Sequence, residues 1–469
     1  MAELHDLTAL EQAAAVRART VSAVELVRHH LDRVERLSES LGAFVTVTAE
    51  SALAEARAAD GLVAAGGELP PLLGVPTAIK DLNSTAGVRT TAGSALLADN
   101  VPQHDDAVVT LLRAAGTISL GKTNTPEFGL PCYTEPDVAP PARTPWDLGR
   151  SAGGSSGGAG AAVAAGLIPF AQGSDGGGSI RIPASVCGLF GIKTSRGRVS
   201  NGPLGNDTAG LGVIGPLART VADAAAMLDA IAVPQPGDPQ WAPPPAEPYL
   251  AQVGRDPGRL VIGRYVENIL GAPVDQECVR AWERATALLT DLGHEVVDIP
   301  TPDLGELYAS FVVLWSVGAA SIPVPEGREE VLRPLTRWLR ETGRGFSGTD
   351  FLQAAGRLQI AARAHIAATA RYDAVLTPTL AQLPAPVGAL RDDADPRGDF
   401  RAQGRFTPYT SIYNMTGQPA VSVPLHHTDA NLPVGVQLVG RPADEVTLIR
   451  LSAQLEAAAP WADRRPGCW

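Results

Sequence analysis

The stretch from Gly149 to Gly191 is unusually rich in glycine, and it carries GGSSGG (Gly153 to Gly158) and GSDGGGSIRIP (Gly173 to Pro183). Glycine has no Cβ, so such segments bring exposed backbone close to other groups and allow turns closed to other residues. Between them, Ala159 to Phe170 is mostly Ala and Gly and reads as a buried helix, too short for a membrane span of ~20 residues. Gly176, Gly177 and Gly178 precede Ser179, and their N–H groups can converge on one point as a nest for developing negative charge. Acyl transfer needs such a point, because the attacked carbonyl oxygen becomes an oxyanion, and losing one donor costs ~2.7–4 kcal/mol of barrier. Ser179 is therefore the candidate nucleophile.

A serine at neutral pH needs a base. All eight histidines lie outside the glycine-rich segments, which turns attention to Lys80 in GVPTAIKDL (Gly74 to Leu82). Lys80 ends an apolar run, Val75 to Ile79, that reads as a strand. Burial there lowers a lysine pKa from ~10.4 toward ~7–8 and makes the amine a base. Ser155 is the candidate relay, since a hydroxyl both donates and accepts.

Composition excludes several other classes. The chain has 469 residues, 45% hydrophobic and 19% charged, with 38 Lys plus Arg against 50 Asp plus Glu, a formal charge of -12. That charge repels nucleic-acid phosphates and anionic lipid, so neither is an expected partner. Cys132, Cys187, Cys278 and Cys468 lie far apart without a CxxC pair, which suggests neither a zinc knuckle nor a disulfide framework. Acids stand in the N-terminal MAELHDLTALEQ where an export signal carries bases, so a cytoplasmic location is expected.

Capping boxes at Thr8/Glu11 and Ser22/Glu25 start two helices, the second with Val24, Val27, Leu31, Val34 and Leu37 on one face. Ala43 to Thr48 reads as a short strand and Ser51 to Ala65 as a helix. A helix over Ala107 to Ala115 and a strand over Thr117 to Leu120 precede the glycine-rich region. Eight prolines between Pro234 and Pro257 predict an irregular surface connection. Beyond it, Leu260 to Gly263, His294 to Ile299, Ala374 to Thr377, Ala420 to Leu425 and Val434 to Val439 read as strands, with helices over Val274 to Leu292 and from Asp444. No internal repeat is evident.

The three segments resemble the signature of the amidase signature enzymes: a GxPxxxKD lysine, a GGSSGG relay serine and a GGSIRxP nucleophile, at similar intervals of 75 and 24 residues. The likeness continues through LGKTNTPEFG (Leu120 to Gly129), RTPWDLGRS (Arg143 to Ser151), YNMTGQPAVSVPL and PVGVQLVGR, covering nearly the whole chain. Within the family, GRSAGGSSGG, ASVCG and GRPADE resemble the bacterial amidases around 6-aminohexanoate cyclic-dimer hydrolase. The resemblance implies Lys80 as base, Ser155 after a cis peptide as relay and Ser179 as nucleophile, with Gly176, Gly177, Gly178 and Ser179 supplying oxyanion donors. It implies one compact α/β/α domain over 1–469 with a long mixed, mostly parallel central sheet. Its parts are a helical segment (1–70), a core with the triad (71–231), the proline-rich connection (232–257) and the rest of the sheet with pocket elements (258–469). It also implies a small-molecule amide substrate, no metal or cofactor, and a homodimer as the family-level expectation. One departure is KTSRGR (Lys193 to Arg198) where relatives usually have KPTRGR, which puts the local loop geometry in question.

Asp81, Asp175 and Arg181 are candidate supporting residues that hold loops, with direct tuning of Lys80 as the alternative for the acids. Asn124, Glu127 and Cys187 read as structural, and His426 and His427 as solvated. Cys132, Tyr133 and Trp315 are candidate substrate-pocket residues. No lysine or arginine occurs in Gly129 to Ala142 or Leu307 to Pro323, which suggests a neutral, apolar acyl group.

Alternatives remain open at this point. GGSSGGAG before a helix fits a phosphate cradle, though neither GxxxxGK[ST] nor GxGxxG is present. GGSSG has the letters of a GxSxG elbow, with Ser155, Asp373 and His426 in α/β-hydrolase order. The family also contains glutaminase subunits of tRNA-dependent amidotransferases, which carry an acid where this chain has Thr407, ahead of Asn414. Acyl transfer to an amine uses the same acyl-enzyme. A non-catalytic binding protein would have lost a triad member, and none is lost.

Overall fold

Both capping boxes form as expected and open the helices Ala9–Arg17 and Ala23–Leu41. The computed structural model describes residues 3–205, 207–302 and 305–469. Its strands are β1 (Phe44–Val47), β2 (Pro76–Lys80), β3 (Ile118–Thr123), β4 (Phe170–Asp175), β5 (Phe190–Lys193) and β6 (Val213–Ala218). They continue with β7 (Val261–Arg264), β8 (Glu295–Asp298), β9 (Ala374–Pro378), β10 (Ala420–His427) and β11 (Pro433–Gly440).

An eight-stranded sheet runs β4-β6-β5-β10-β11-β9-β7-β8, and a three-stranded sheet runs β1-β3-β2. Side chains join the two: Lys80 N–H donates to Gln172 Oε1 at 2.9 Å, and Thr77 Oγ1 donates to the Phe170 carbonyl at 3.3 Å. The long mixed sheet agrees with expectation, but parallel pairs do not predominate. Only β9–β7 and β7–β8 are parallel in the large sheet, and its other neighbours are antiparallel. The reason is connectivity: a parallel pair needs a long crossover, as the helix Gln276–Asp291 provides between β7 and β8. The β10–β11 hairpin has no room for one.

Alternation along the strands divides the core between two faces. Phe170, Ile214, Val421 and Leu438 pack in one cluster with Met227, Trp282 and Leu448 of the helices Val221–Ile231, Gln276–Asp291 and Glu445–Ala458. Their neighbours Ala171 and Leu217 belong to a second cluster with the helices Ala23–Leu41, Gly157–Ala164 and Arg181–Cys187. Ala420 and Val439 belong to a third, with the helices Gly305–Ser321 and Gly348–Thr369. Helices thus cover both faces of a single α/β/α domain.

The buried helix predicted over Ala159 to Phe170 is shorter, Gly157–Ala164, and Phe170 instead starts β4. An apolar run without periodicity does not distinguish helix from buried strand. Between Pro234 and Pro257 the chain is irregular apart from one tight turn at Leu250–Gln252. At the KTSRGR departure, Thr194 Oγ1 donates to the Ile214 carbonyl at 2.9 Å, and Ser195 N–H donates to Glu445 Oε1 at 2.8 Å. The loop is therefore tied to β6 and to the last helix. Among the described residues no helix is long and apolar enough to cross a membrane.

Candidate active site

β2 ends at Lys80 and β4 at Asp175, side by side, so the two glycine-rich segments and the lysine meet at one edge of the sheet. Lys80 is fully buried, and its Nζ donates to Ser155 Oγ at 2.8 Å, Ser174 Oγ at 2.9 Å and the Ser174 carbonyl at 3.3 Å. Burial lowers its pKa to about 7, against the opposing pull of Asp175. A large part of the amine is thus neutral at physiological pH.

Ser155 follows a cis peptide bond from Gly154, and Thr125 Oγ1 donates to its carbonyl at 2.9 Å. A Cβ on Gly154 would lie 2.7 Å from Tyr133 N, so only glycine fits there. Ser156 N–H donates to the Ser179 carbonyl at 3.1 Å, which docks the Ser179 loop against the Ser155 loop. Among the described hydrogen bonds none joins the Ser155 and Ser179 hydroxyls. Ser179 faces a pocket, whereas Lys80 and Ser155 lie behind it.

The expected oxyanion donors divide. Gly178 N–H donates to Asp175 Oδ1 at 2.7 Å and is already engaged, which corrects its place in the expected set. Its φ is 135°, and a Cβ would meet Thr410 Oγ1 at 2.5 Å, so the loop can turn here only at glycine. Gly176, Gly177 and Ser179 keep N–H groups with no protein acceptor among the described bonds.

Asp175 and Arg181 form a fully buried ion pair, with Nη2 to Oδ1 at 2.9 Å and Nε to Oδ2 at 3.0 Å. Arg181 also donates to Gln437 Oε1 at 2.6 Å, the Thr410 carbonyl at 2.8 Å and Asn414 Oδ1 at 2.7 Å. Burial alone would raise the Asp175 carboxyl, but the Arg181 guanidinium beside it outweighs burial and holds it well below the usual carboxylate range. Both residues hold the loop. Asp81 does likewise on the other side, accepting from Thr91 N–H at 2.9 Å and Thr91 Oγ1 at 2.5 Å.

A pocket opens in front of Ser179. Cys132 and Trp315 line it, and Trp315 stacks on Phe311 with centroids 5.1 Å apart. Tyr133 does not line it: its hydroxyl turns away and donates to buried Asp399 Oδ2 at 2.6 Å.

Sequence reading missed Ser174, one residue before Asp175, and the helix Pro396–Phe406, which brings Phe400 and Gln403 to the pocket. Gln403 accepts from Cys132 N–H at 2.9 Å and donates to Asp399 Oδ1 at 2.6 Å. Ser174 had a signal in its position next to the nest. The helix had only its Asp395 cap and Pro396.

The α/β-hydrolase arrangement is not assembled. His426 Nε2 pairs with Glu277 Oε2 at 2.8 Å, and Asp373 binds Val261 N–H at 2.8 Å and Arg441 Nη1 at 2.9 Å. His426 and His427 are also not simply solvated, since His427 packs edge-on against Trp146 at 4.6 Å. Asn124, Glu127 and Cys187 are buried structural groups as expected; Asn124 binds the Gly42 and Pro140 carbonyls at 2.9 and 2.8 Å. No grouping of potential metal ligands occurs at this pocket among the described residues.

The profile of the family described as Amidase matches residues 25–449. The chain is similar to 6-aminohexanoate-cyclic-dimer hydrolase of Paenarthrobacter ureafaciens, with 36% identity over 492 residues, 98% of this chain and 96% of that one. It is also similar to a glutamyl-tRNA(Gln) amidotransferase subunit of Moorella thermoacetica, with 37% identity over 490 residues and 99% of each chain. Among solved structures, 6-aminohexanoate cyclic dimer hydrolase matches with a TM-score of 0.92 at 33% identity, covering 100% of both chains. Sequence, fold and the meeting of the lysine with both serine loops agree: the chain belongs to the amidase signature family, hydrolases of carbon–nitrogen bonds other than peptide bonds.

Proposed function

We propose that the protein hydrolyses neutral, apolar linear or cyclic carboxylic amides through an acyl-enzyme on Ser179, with Lys80 as base and Ser155 as relay. The observation that carries this reading is the 2.8 Å contact between buried Lys80 Nζ and Ser155 Oγ, with the amine poised near neutrality. Ser179 Oγ attacks the carbonyl carbon while its proton passes to Ser155, whose own proton passes to Lys80 Nζ. The new oxyanion takes hydrogen bonds from the N–H groups of Gly176, Gly177 and Ser179. The C–N bond then breaks as the Lys80 proton returns through Ser155 to the leaving amine. Water, deprotonated by the same relay, cleaves the ester and restores Ser179.

The pocket supports the substrate class. Its walls are Leu130, Pro131, Ile182, Ile269, Phe311 and Trp315, with no charged side chain among the lining residues. Thr407 lines it where the glutaminase relatives carry an acid, so nothing there pairs with the ammonium of free glutamine. That favours free small amides over the amidotransferase reading. Acyl transfer to an amine shares the acyl-enzyme and is the alternative outcome when amines compete with water. The enzyme is read as cytoplasmic, active without metal or cofactor, and dimeric.

The test is a panel of amides and esters of rising acyl size, together with a fluorophosphonate label located by mass spectrometry. The label is expected on Ser179, and neutral apolar amides are expected to outpace glutamine. A label on Ser155, or a preference for glutamine, overturns the reading.

A further inference from the structure

The first turn of the chain, Leu4–Asp6, packs on the helix Ala23–Leu41, and none of its residues lines the pocket beside Ser179. There His5 Nδ1 lies 2.9 Å from His29 Nε2. The two ring planes are within 14° of parallel with centroids 5.1 Å apart, and the 2.9 Å contact places the two nitrogens between the centroids, so the rings meet edge to edge. A carboxylate oxygen of Glu3 and one ring nitrogen from each histidine all lie within 4.8 Å of one another. Two imidazoles and a carboxylate are the donor set of open zinc sites, which leave a fourth position to water. Paired imidazoles select zinc, cobalt, nickel or copper over magnesium and calcium.

The surroundings hold this arrangement in place. His30, next to His29, is locked by the Leu167 carbonyl at 3.0 Å and by Gln12 at 3.2 Å, which fixes the helix beneath His29. Trp469 packs over His5 with ring centroids 5.4 Å apart and donates from Nε1 to Asp6 Oδ1 at 2.9 Å. Three of the nearby cations have their own acceptors: Arg33 binds the Ala165 and Gly166 carbonyls at 2.8 and 3.1 Å, Arg219 binds the Leu7 carbonyl at 2.7 Å, and Arg465 binds Asp6 at 2.5 Å. Tetrahedral zinc with bonds of ~2.0–2.1 Å separates two ligand nitrogens by roughly 3.3 Å and sits off the line between them, so the rings must part by a few tenths of an ångström and tilt by roughly 35° each. His29 is only partly buried and has room to tilt.

We propose that Glu3, His5 and His29 form a binding site for a divalent cation of the zinc class, which pins the first turn of the chain to the helix Ala23–Leu41. In the free site one ring donates its N–H to the other. On binding, that ring moves its proton to its second nitrogen and both facing lone pairs go to the metal, so no proton is lost.

The experiment uses the untagged full chain, stripped with EDTA and titrated with zinc by calorimetry and with cobalt by visible absorption. The wild type is expected to take up one equivalent of each, to show the intense d–d bands of tetrahedral cobalt, and to melt at higher temperature with zinc present. His29→Ala, a change that favours helix at a partly exposed position, is expected to weaken uptake about tenfold or more and to abolish the cobalt bands. Glu3→Gln should weaken it as well. Absence of uptake by the wild type, or equal uptake by the wild type and His29→Ala, overturns the site.

Discussion

Lys80 Nζ lies 2.8 Å from Ser155 Oγ, with two further contacts to Ser174, and is shut off from solvent. A neutral amine has two N–H groups and one lone pair. Protonated, the amine donates to Ser155 Oγ and to Ser174; once neutral, with its two hydrogens on Ser174 O and Oγ, its lone pair accepts from the Ser155 hydroxyl. This arrangement makes Lys80 a base only when deprotonated, and several outcomes follow from that requirement.

Turnover should rise with pH along a limb centred near the Lys80 pKa of about 7. Lys80→Ala should remove this limb and most of the amide rate, and should spare activated esters more, because their leaving groups need no proton. Rate profiles of kcat/KM for an amide and its nitrophenyl ester counterpart check both.

Lys80 also has a stability signature. Its folded pKa is depressed from 10.5 to about 7, so between these values the unfolded chain binds more protons and burial of the lysine is disfavoured. Lys80→Met should therefore be inactive yet more stable than the wild type at pH 7, and its advantage should shrink as pH rises toward 10. Urea denaturation at a series of pH values measures the difference.

Ser179→Ala should lower amide turnover by on the order of 10³-fold or more while leaving circular dichroism and melting unchanged. His426→Ala should leave turnover within about twofold, since His426 is occupied with Glu277 rather than with any serine loop. Collapse of the His426 variant alone would point back to a histidine-based mechanism.

Asp175→Asn should be costly to the fold. It leaves Arg181 charged and buried with its carboxylate partner removed, a loss of about 3–5 kcal/mol. The midpoint of chemical denaturation should fall accordingly, and the loop that carries Ser179 should lose activity with it.

Trp315→Ala should reduce kcat/KM for large apolar amides by roughly tenfold or more and change acetamide little, because the lost contact is with the distal acyl group. A panel of linear amides of increasing length separates the two cases.

The candidate site was legible in the chain because it rests on local features. Gly176 to Ser179 must bend where only glycine bends, Lys80 must end an apolar strand to be buried, and the capping boxes at Thr8 and Ser22 announce their helices within four residues. Strands such as β9, β10 and β11 were legible for the same reason, as short apolar runs bounded by turn residues. What lies across the fold was not. That Gly178 N–H is spent on Asp175, that Tyr133 turns to Asp399 while Cys132 faces the pocket, and that five of the seven pairings in the large sheet are antiparallel all depend on which distant segments become neighbours. Asp399 and Tyr133 are 266 residues apart in sequence. Hydrogen bonds and side-chain direction at such separations are set by packing of whole layers, so only the tertiary structure decides them.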